Sequence, residues 1–432
     1  MLPKSSRLRR ILLAYTVNEL GTWFGYVALA LGVYDHTRSA IATAGLFIAR
    51  GLLPALLAPV LVARVERRDK RGLLARLYAL EALLTLALAA LLWHFWFPGI
   101  LILVALDGTV AVAATALVRA SIARVAAEEA EQGVSWSASG DPESVDEAQR
   151  QANATLNVAF MVSLAVGPAI GGVLVHTVGG PVALLLDALT FLACALLMIG
   201  LRAHVEDGGE ASTLARLRAA WQHLQAVPLL RALLITEAVA VVFFASVEPV
   251  EVVYVKSTLH AGDLGFGLLV AAWGFGAALG AIVFSRSVRR PLGPMLTGGT
   301  LLVGLAYLGF AAAPALALAC VAAVVGGTGN GIQWPSLISA VQQLTPAALQ
   351  GRLMSVVGSL NALCPALGFA LGGSIAALAS PRTAMVVAGV IATCATLAFL
   401  RLPLSSLQST TQEQAPLPTE PGLVSSSRQP AG

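Results

Sequence analysis

Charged residues are scarce in this chain of 432 residues. Asp, Glu, Lys and Arg make up 12% of it, against roughly 25% in a typical soluble domain. A soluble protein of this length needs a charged surface, so the composition excludes an ordinary soluble enzyme. A net charge of +4 is also too weak a field to favour a nucleic-acid partner. Hydrophobic residues reach 57%, and this excess indicates a protein that lies in a lipid bilayer.

Groups for metal binding and covalent chemistry are equally sparse. The four cysteines show no C-x-x-C spacing and lie in apolar runs, which is typical of small buried hydrophobes. The six histidines form no H-x-x-x-H pair, and the chain contains no P-loop sequence G-x-x-x-x-G-K-[ST]. We therefore expect no metal site, no cofactor and no enzymatic activity.

Long apolar runs account for most of the chain. A helix needs about 20 apolar residues to cross a bilayer, and twelve predicted spans lie at 11–33, 41–63, 73–95, 99–118, 152–177, 181–201, 232–255, 264–285, 294–312, 314–340, 353–378 and 383–401. The segment that begins at Pro168 resembles the one that begins at Pro365, which indicates two related halves. The sequence therefore predicts an all-α polytopic membrane protein with twelve transmembrane helices in two pseudo-symmetric six-helix halves.

The polar segments predict how the chain is organised. All but four of the 27 Lys and Arg residues fall on one side of the predicted spans, which places both termini in the cytoplasm of a multi-pass protein of the inner (plasma) membrane. The predicted units are a cytoplasmic N-terminus at 1–10, an N-terminal half at 11–201 with an acidic cytoplasmic insertion at 126–149, a linker at 202–231 that forms an amphipathic helix, a C-terminal half at 232–401 and a disordered tail at 402–432.

Four short motifs follow one another along the chain. They read FIARGLLP from Phe47, SLAVGPAIGG from Ser163, GFGLL from Gly265 and TPAALQGRLMS from Thr345. With these motifs, residues 7–401 resemble the major facilitator superfamily, and within it the drug:proton antiporter branch that includes macrolide-efflux proteins and the enterobactin exporter. The resemblance implies a transporter whose two halves rock around a central site.

The resemblance assigns gating roles to two regions. In the superfamily the loop after the second span latches the halves on the cytoplasmic side, and here it carries Arg64, Glu66, Arg67, Arg68, Asp69 and Arg71. Its usual Gly and Asp have no clear equivalents, and positive-inside orientation alone also explains its charges. The fifth-span motif contains Ser163, Gly167, Pro168, Gly171 and Gly172, with Ser where the antiporter signature has its first Gly. Its small residues predict either close helix packing or a sealed hinge that limits ion leak.

Three charged residues are predicted near mid-depth in the N-terminal half, namely Glu19, Arg50 and Asp107. An ionised side chain at the bilayer centre costs at least ~2.5–3.5 kcal/mol, so such groups pair or face a cavity. We expect Arg50 to pair with Asp107 or Glu19, and one carboxylate to exchange protons; a static ion pair is the alternative. For two other acids, we expect Glu81 of the third span to pair with a loop arginine and Asp187 of the sixth span to lie close to the outer membrane surface.

The resemblance further implies that the first, fourth, seventh and tenth spans line a central cavity. Besides the charged residues above, these spans offer as candidate substrate contacts Asn18, Thr22, Trp23, Tyr26, Glu237, Phe243, Phe244, Asn330, Gln333 and Trp334. Aromatic side chains with a few amides and acids suit a bulky, amphipathic and cationic compound. Glu248 and Glu251 form either an acidic outer mouth or an ordinary wet helix end.

Together these features predict a monomeric bacterial exporter that exchanges protons for a small amphipathic drug-like compound or secondary metabolite by alternating access. Two alternatives stay open. A lysophospholipid or other lipid transporter of the same fold would have a more apolar, laterally open cavity. A non-transporting membrane sensor or scaffold would depend on the acidic insertion at 126–149.

Overall fold

The computed structural model describes residues 6–66, 72–131, 145–200, 222–287 and 290–401, and within these ranges every long element is a helix. In chain order the long helices are α1 (Ser6–Thr37), α2 (Ala40–Glu66), α3 (Leu73–Trp93), α4 (Phe97–Glu131), α5 (Val145–Val178), α6 (Gly180–Leu197), α7 (Pro228–Val253), α8 (Gly262–Arg286), α9 (Leu292–Ala312), α10 (Leu316–Gln343), α11 (Ala347–Leu378) and α12 (Pro381–Leu400). A π-helical turn at Tyr254–Thr258 continues α7. The predicted all-helical fold is confirmed.

Ten of the described helices are long and apolar enough to cross a membrane, namely all except α1 and α12. Helix α1 begins with three arginines, Arg7, Arg9 and Arg10. In α12 the apolar part is the shorter segment Pro381–Leu397. The crossing of the membrane by these two helices therefore stays a prediction.

Two helices continue beyond their predicted spans. Helix α4 extends to Glu131 rather than 118, and α5 begins at Val145 rather than 152. The acidic insertion at 126–149 is thus helical at both ends, while its middle lies outside the described residues. The same holds for the tail at 402–432 and for most of the linker, of which residues 222–226 form a short helix.

The connections between helices define the two ends of the bundle. Helices α1 and α2 are joined through Arg38 and Ser39, α5 and α6 through Gly179, and α11 and α12 through Ala379 and Ser380. Such short links fold each helix back against its neighbour, so these connections share one end, termed here the far end. The end where α1 begins and α12 ends is the terminal end, which the distribution of Lys and Arg predicts to be cytoplasmic.

The hydrophobic cores show how the two halves meet. One cluster combines residues of both halves, such as Val27 of α1, Val247 of α7 and Phe266 of α8, and it lies toward the far end. Toward the terminal end each half has its own cluster, around Tyr15 in the first half and Leu233 in the second. Within the described residues, the halves are therefore packed together at the far end and have separate cores at the terminal end.

Two helix pairs, α5 with α8 and α2 with α11, provide most of the packing between the halves. In the first pair the backbones nearly touch, since a Cβ atom on Gly172 of α5 would lie 3.0 Å from Cα of Gly267 on α8. In the second pair the rings of Phe47 and Phe369 lie 5.5 Å apart. These contacts close the far end.

Candidate functional site

A cavity of about 160 Å³ lies inside the N-terminal half, between α1, α2, α3, α4 and α6. Its polar lining comes from Thr22, Arg50, Thr85, Asp107 and Asp187. The cavity is too small for a drug-sized ligand, which needs roughly 300 Å³ or more, but several water molecules of about 30 Å³ each would fit. The five helices therefore surround a polar site that is separate from the interface between the halves.

Asp187 of α6 is 3% exposed and lies against the backbone of α1. Two glycines one turn apart make room for its carboxylate. A Cβ atom on Gly21 would lie 2.6 Å from Asp187 Oδ1, and a Cβ atom on Gly25 would collide with Oδ2. Thr190 Oγ1 donates a hydrogen bond of 3.3 Å to Asp187 Oδ1. The Gly-x-x-x-Gly spacing of α1 thus seats an acidic side chain from α6 at the cavity wall.

Two further carboxylates face Asp187. Asp107 of α4 lines the cavity, and its buried Oδ1 has no hydrogen-bond partner in the described ranges. Glu81 of α3 is 1% exposed, and neither of its carboxylate oxygens has such a partner there. Glu81 interacts electrostatically with both Asp107 and Asp187. Burial without hydrogen bonds is costly for a carboxylate, so these groups need a proton, water or a cation.

Arg50 of α2 supplies the cation in the cavity lining. It interacts electrostatically with Asp107 and Asp187, although within the part of the chain that the structure describes it forms no direct ion pair. Its guanidinium carbon lies 5.4 Å from the centre of the Tyr26 ring. Tyr26 in turn donates a hydrogen bond of 3.1 Å to Glu248 Oε1 of α7. Arg50 therefore connects the cavity in the first half to an acidic residue of the second half.

Of the two predicted partners of Arg50, the structure brings only Asp107 to the cavity. Glu19 shares a hydrogen bond with the Tyr15 hydroxyl and interacts electrostatically with Arg119 of α4. Arg119 Nη2 also donates a hydrogen bond of 3.2 Å to the Tyr15 hydroxyl oxygen. Glu19 thus belongs to a second polar group, nearer the terminal end.

Two other acids have surroundings that the sequence did not show. Within the described residues neither carboxylate oxygen of Glu81 has a hydrogen-bond partner, and Asp187 lines the cavity. Both lie inside apolar runs, where an acid is conspicuous, but the sequence does not show which helix faces they share. The spacing of Gly21 and Gly25 was the available signal for Asp187, because it marks a close contact with another helix.

The other predicted contacts of the first half are divided between two surroundings. Thr22 lines the cavity, and Asn18 is 7% exposed. Trp23 packs edge-on against Tyr26, with 5.4 Å between ring centres, and its side chain also fills the space over Gly167 of α5. Tyr26 therefore reaches the second half, Trp23 lies between Tyr26 and α5, and Thr22 belongs to the polar cavity.

In the second half, two of the predicted substrate-contact residues are buried and hydrogen-bonded to each other. Gln333 of α10 donates hydrogen bonds of 3.1 and 2.8 Å to the two carboxylate oxygens of Glu237 on α7. Glu237 is 2% exposed and Gln333 is 1% exposed. Trp334 is 40% exposed, and the remaining predicted contacts are half-buried, namely Phe243, Phe244 and Asn330.

The fifth-span motif faces two partners. Gly167 and Gly171 pack against α1, whereas Gly172 packs against Gly267 of the other half. Ser163 is fully buried. The side chains of the second-span loop lie outside the described residues, namely those of Arg64, Glu66, Arg67, Arg68, Asp69 and Arg71.

An ion cluster joins the halves at the far end. Lys256, in the π-helical turn after α7, lies 2.9 Å from Asp35 Oδ1 of α1 and 2.6 Å from Asp263 Oδ1 of α8. The Lys256 side chain is 14% exposed, so solvent screens the cluster only in part. Asp35 also lies 3.6 Å from Arg38 of its own half. Lys256 is one of the four Lys and Arg residues outside the predicted cytoplasmic side, and its contacts with both halves come from the tertiary structure alone.

Comparison with known proteins points to one family. A family model described as transmembrane secretion effector matches residues 4–429. Among relatives, the multidrug efflux pump Tap of Mycolicibacterium fortuitum is 30% identical over 237 residues, which cover 52% of this chain and 56% of the relative. The protein of the same name in Mycobacterium tuberculosis is 28% identical over 273 residues, covering 60% of this chain and 62% of the relative. Each match thus spans less than two thirds of the relative.

Solved structures share the fold at low sequence identity. The nucleoside transporter NupG superposes with a TM-score of 0.65 at 10% identity, covering 92% of this chain and 99% of that one. A bacterial homologue of the iron transporter ferroportin, in an inward-facing state, gives a TM-score of 0.68 at 14% identity, with coverage of 92% and 99%. The family match extends over nearly the whole chain, and the protein therefore belongs to the transmembrane secretion effector family of the major facilitator superfamily.

Proposed function

We propose that this protein is a secondary active transporter that exports a small amphipathic compound in exchange for protons. One observation carries the proposal. Asp107 lines a cavity that has room for several water molecules, and it lies within electrostatic range of Arg50. Its buried Oδ1 lacks a hydrogen-bond partner among the described residues. A carboxyl group in this position is neutral when it holds a proton, and it attracts Arg50 when it has released the proton.

Arg50 gives that proton a way to act on the interface. When Asp107 is ionised, its charge draws the guanidinium toward the cavity. When Asp107 is protonated, Arg50 interacts more strongly with Glu248. The two residues interact electrostatically, and the Arg50 guanidinium lies over the ring of Tyr26, which bonds to Glu248. A ligand shifts a conformational equilibrium only if it binds the two states with different free energies. The contact to Glu248 supplies such a difference, because Glu248 belongs to the second half.

The packing of the halves fits alternating access. The far end is closed by α5 with α8, by α2 with α11 and by the ion cluster at Lys256. The separate cores at the terminal end leave the halves free to part there. With the termini in the cytoplasm of a plasma-membrane protein, this packing supports a cycle in which the halves part on the inner side of the membrane.

The substrate class rests on two supports. The relatives in Mycolicibacterium and Mycobacterium are named as multidrug efflux pumps. Tyr26 reaches the second half through its hydrogen bond to Glu248, Trp23 packs against Tyr26, and Trp334 is 40% exposed. Aromatic faces bind bulky amphipathic molecules, and they favour cations in particular.

The test uses everted membrane vesicles that contain the full chain and carry an imposed pH gradient. Erythromycin, ethidium and a lysolipid are added in turn, and proton release from the vesicles is followed. We expect release with erythromycin or ethidium in the wild type, and an at least tenfold lower rate in the Asp107→Asn variant, since this variant cannot exchange the proton.

The matched control is Glu128→Gln on the same helix. Glu128 pairs with Arg124 at 2.7 Å on the helix surface, and 41% of its side chain is exposed. The Glu128→Gln variant should therefore release protons at the wild-type rate. Release that persists in Asp107→Asn would contradict the assigned coupling residue. Release with the lysolipid alone would favour a lipid transporter, and no release by folded wild-type protein would contradict proton antiport.

A further inference from the structure

Three carboxyl groups lie at or beside the cavity in the N-terminal half, whereas the exchange of one proton requires a single carboxyl group. Asp107, Asp187 and Glu81 interact with one another, and Arg50 is the cation that the lining supplies. When all three carboxyl groups are ionised, the group carries two negative charges that Arg50 does not balance. A site buried in a membrane bundle does not hold two such charges without compensation.

The geometry of Glu81 shows that the compensation is not provided by hydrogen bonds. Its side chain is 1% exposed, and both carboxylate oxygens are buried without a partner among the described residues. Asp187 is 3% exposed and receives a hydrogen bond from Thr190. These two acids sit on α3 and α6, behind the helices that meet the second half.

A metal ion fits this group poorly. Nowhere in the described ranges do three or more His, Cys, Asp or Glu residues lie close enough together to hold one. Asp107 and Asp187 instead line a space of about 160 Å³ that several water molecules can fill, and Glu81 lies beside it within electrostatic range of both. Protons that move along water between separated carboxyl groups suit this arrangement.

We propose that Glu81 and Asp187 form a second proton-exchange site, which connects to Asp107 through the water in the cavity. Two protons then enter the N-terminal half in each transport cycle. The titratable groups that face the pair are Arg50 on α2, Tyr78 on α3, Asp107 on α4, Cys194 on α6, and Tyr15 and Glu19 on α1 beyond Tyr78. The role in transport rests on the proposed proton-coupled export, whereas the exchange of the proton itself does not.

Proton exchange at the pair is measured without any substrate. The purified full-length protein in lipid is stepped from about pH 6 to about pH 9, a range in which ordinary exposed carboxyl groups with pKa values of about 4 stay ionised, and the infrared carbonyl band of protonated carboxyl groups is recorded. We expect the pH-dependent part of this band to lose intensity in both Glu81→Gln and Asp187→Asn. Both changes preserve side-chain shape, and either one alone supports the measurement if the other variant fails to fold. Glu128→Gln should leave the band unchanged.

An unchanged pH-dependent band in folded Glu81→Gln or Asp187→Asn would overturn the proposal, because the pair would then hold its protons permanently or not at all.

The number of protons exchanged in each transport cycle is tested with ethidium, which carries one positive charge. Exchange of one proton for ethidium moves no net charge, whereas exchange of two protons does. Ethidium movement should therefore respond to a potassium diffusion potential in the wild type and lose this response in both variants.

The two failures can be told apart. Ethidium movement that follows the pH gradient but ignores the membrane potential in the wild type would contradict the second proton alone. A substrate panel that produces no proton release would contradict the proposed export, while the infrared result on Glu81 and Asp187 would stand by itself.

Discussion

At the scale of single residues, the candidate site depends on two glycines, whose lack of a side chain leaves space for a carboxylate. Gly21 and Gly25 leave a notch on α1, and the carboxylate of Asp187 fills it. Because the carboxylate lies against the backbone, α1 and α6 fix its position more firmly than a flexible contact would. The charge of Asp187 thus reaches the same cavity as Arg50 and Asp107 although the three residues come from three different helices.

The Gly25→Ala variant tests this seat. The added methyl group would collide with Asp187 Oδ2, so the side chain or the helix must move, at a cost of about 1–3 kcal/mol in the free energy of unfolding. We expect a lower melting temperature of the purified protein. Gly298→Ala on α9 is the control, because no atom lies within 4 Å of its new Cβ atom. An equal melting temperature for Gly25→Ala and Gly298→Ala would contradict the tight seat.

At the scale of helices, both interpretations of the fifth-span motif concern the contact between α5 and α8. The backbones approach at Gly172 and Gly267, and a Cβ atom on Gly267 would also collide with the carbonyl oxygen of Pro168. Contact of backbone with backbone cannot be relieved by a rotation of side chains. The motif therefore forms part of the closed far end, and this position allows it to act as packing, as a seal, or as both.

The Gly267→Ala variant separates packing from sealing. If the contact seals the far end, proteoliposomes with this variant should acidify several-fold faster than wild type in a passive pH gradient, as read by an enclosed pH-sensitive dye. A pure packing role would instead lower the melting temperature without raising the leak. Gly358→Ala on α11, where no atom lies within 4 Å of the new Cβ atom, should change neither quantity.

At the scale of the whole molecule, the two halves are held together unequally at their two ends. The far end combines a shared hydrophobic core with the ion cluster of Lys256, Asp35 and Asp263. Each half keeps a core of its own at the terminal end. Opening of the far end must therefore break ion pairs and expose apolar surface, whereas opening of the terminal end leaves both separate cores intact.

The Lys256→Met variant should weaken the far-end closure, since it leaves Asp35 and Asp263 without the cation that binds both. A cysteine introduced by Ala44→Cys, which is 3% exposed beside Gly373 in the closed state, should then react several-fold faster with a membrane-impermeant maleimide. Arg38→Gln provides the control. Arg38 meets Asp35 within one half and its side chain is 67% exposed, so this change should leave the labelling rate unaltered. Equal rates in all three proteins would show that the cluster does not hold the far end closed.

The sequence alone determined the membrane class, the succession of long helices and the family. These follow from local features, because a run of apolar residues forms a helix in lipid whatever its neighbours are, and the motifs at Ser163 and Gly265 keep their order along the chain. The sequence also singled out Arg50 and Asp107, since a charge inside an apolar run is conspicuous at any depth. Helix ends were less accurate, because α4 continues past the apolar run on ordinary helix-forming residues up to Glu131.

Only the tertiary structure decided which charges meet. Glu81, Asp107 and Asp187 are far apart along the chain, and a helix can present each of them to several neighbours. Their meeting depends on the rotation of α3, α4 and α6 about their axes, and packing against Gly21 and Gly25 sets the rotation of α6. For the same reason Glu19 faces Tyr15 rather than Arg50, and Lys256 faces Asp35 of the other half. Electrostatic partners follow from distance in space, and the folded arrangement of the helices creates those distances.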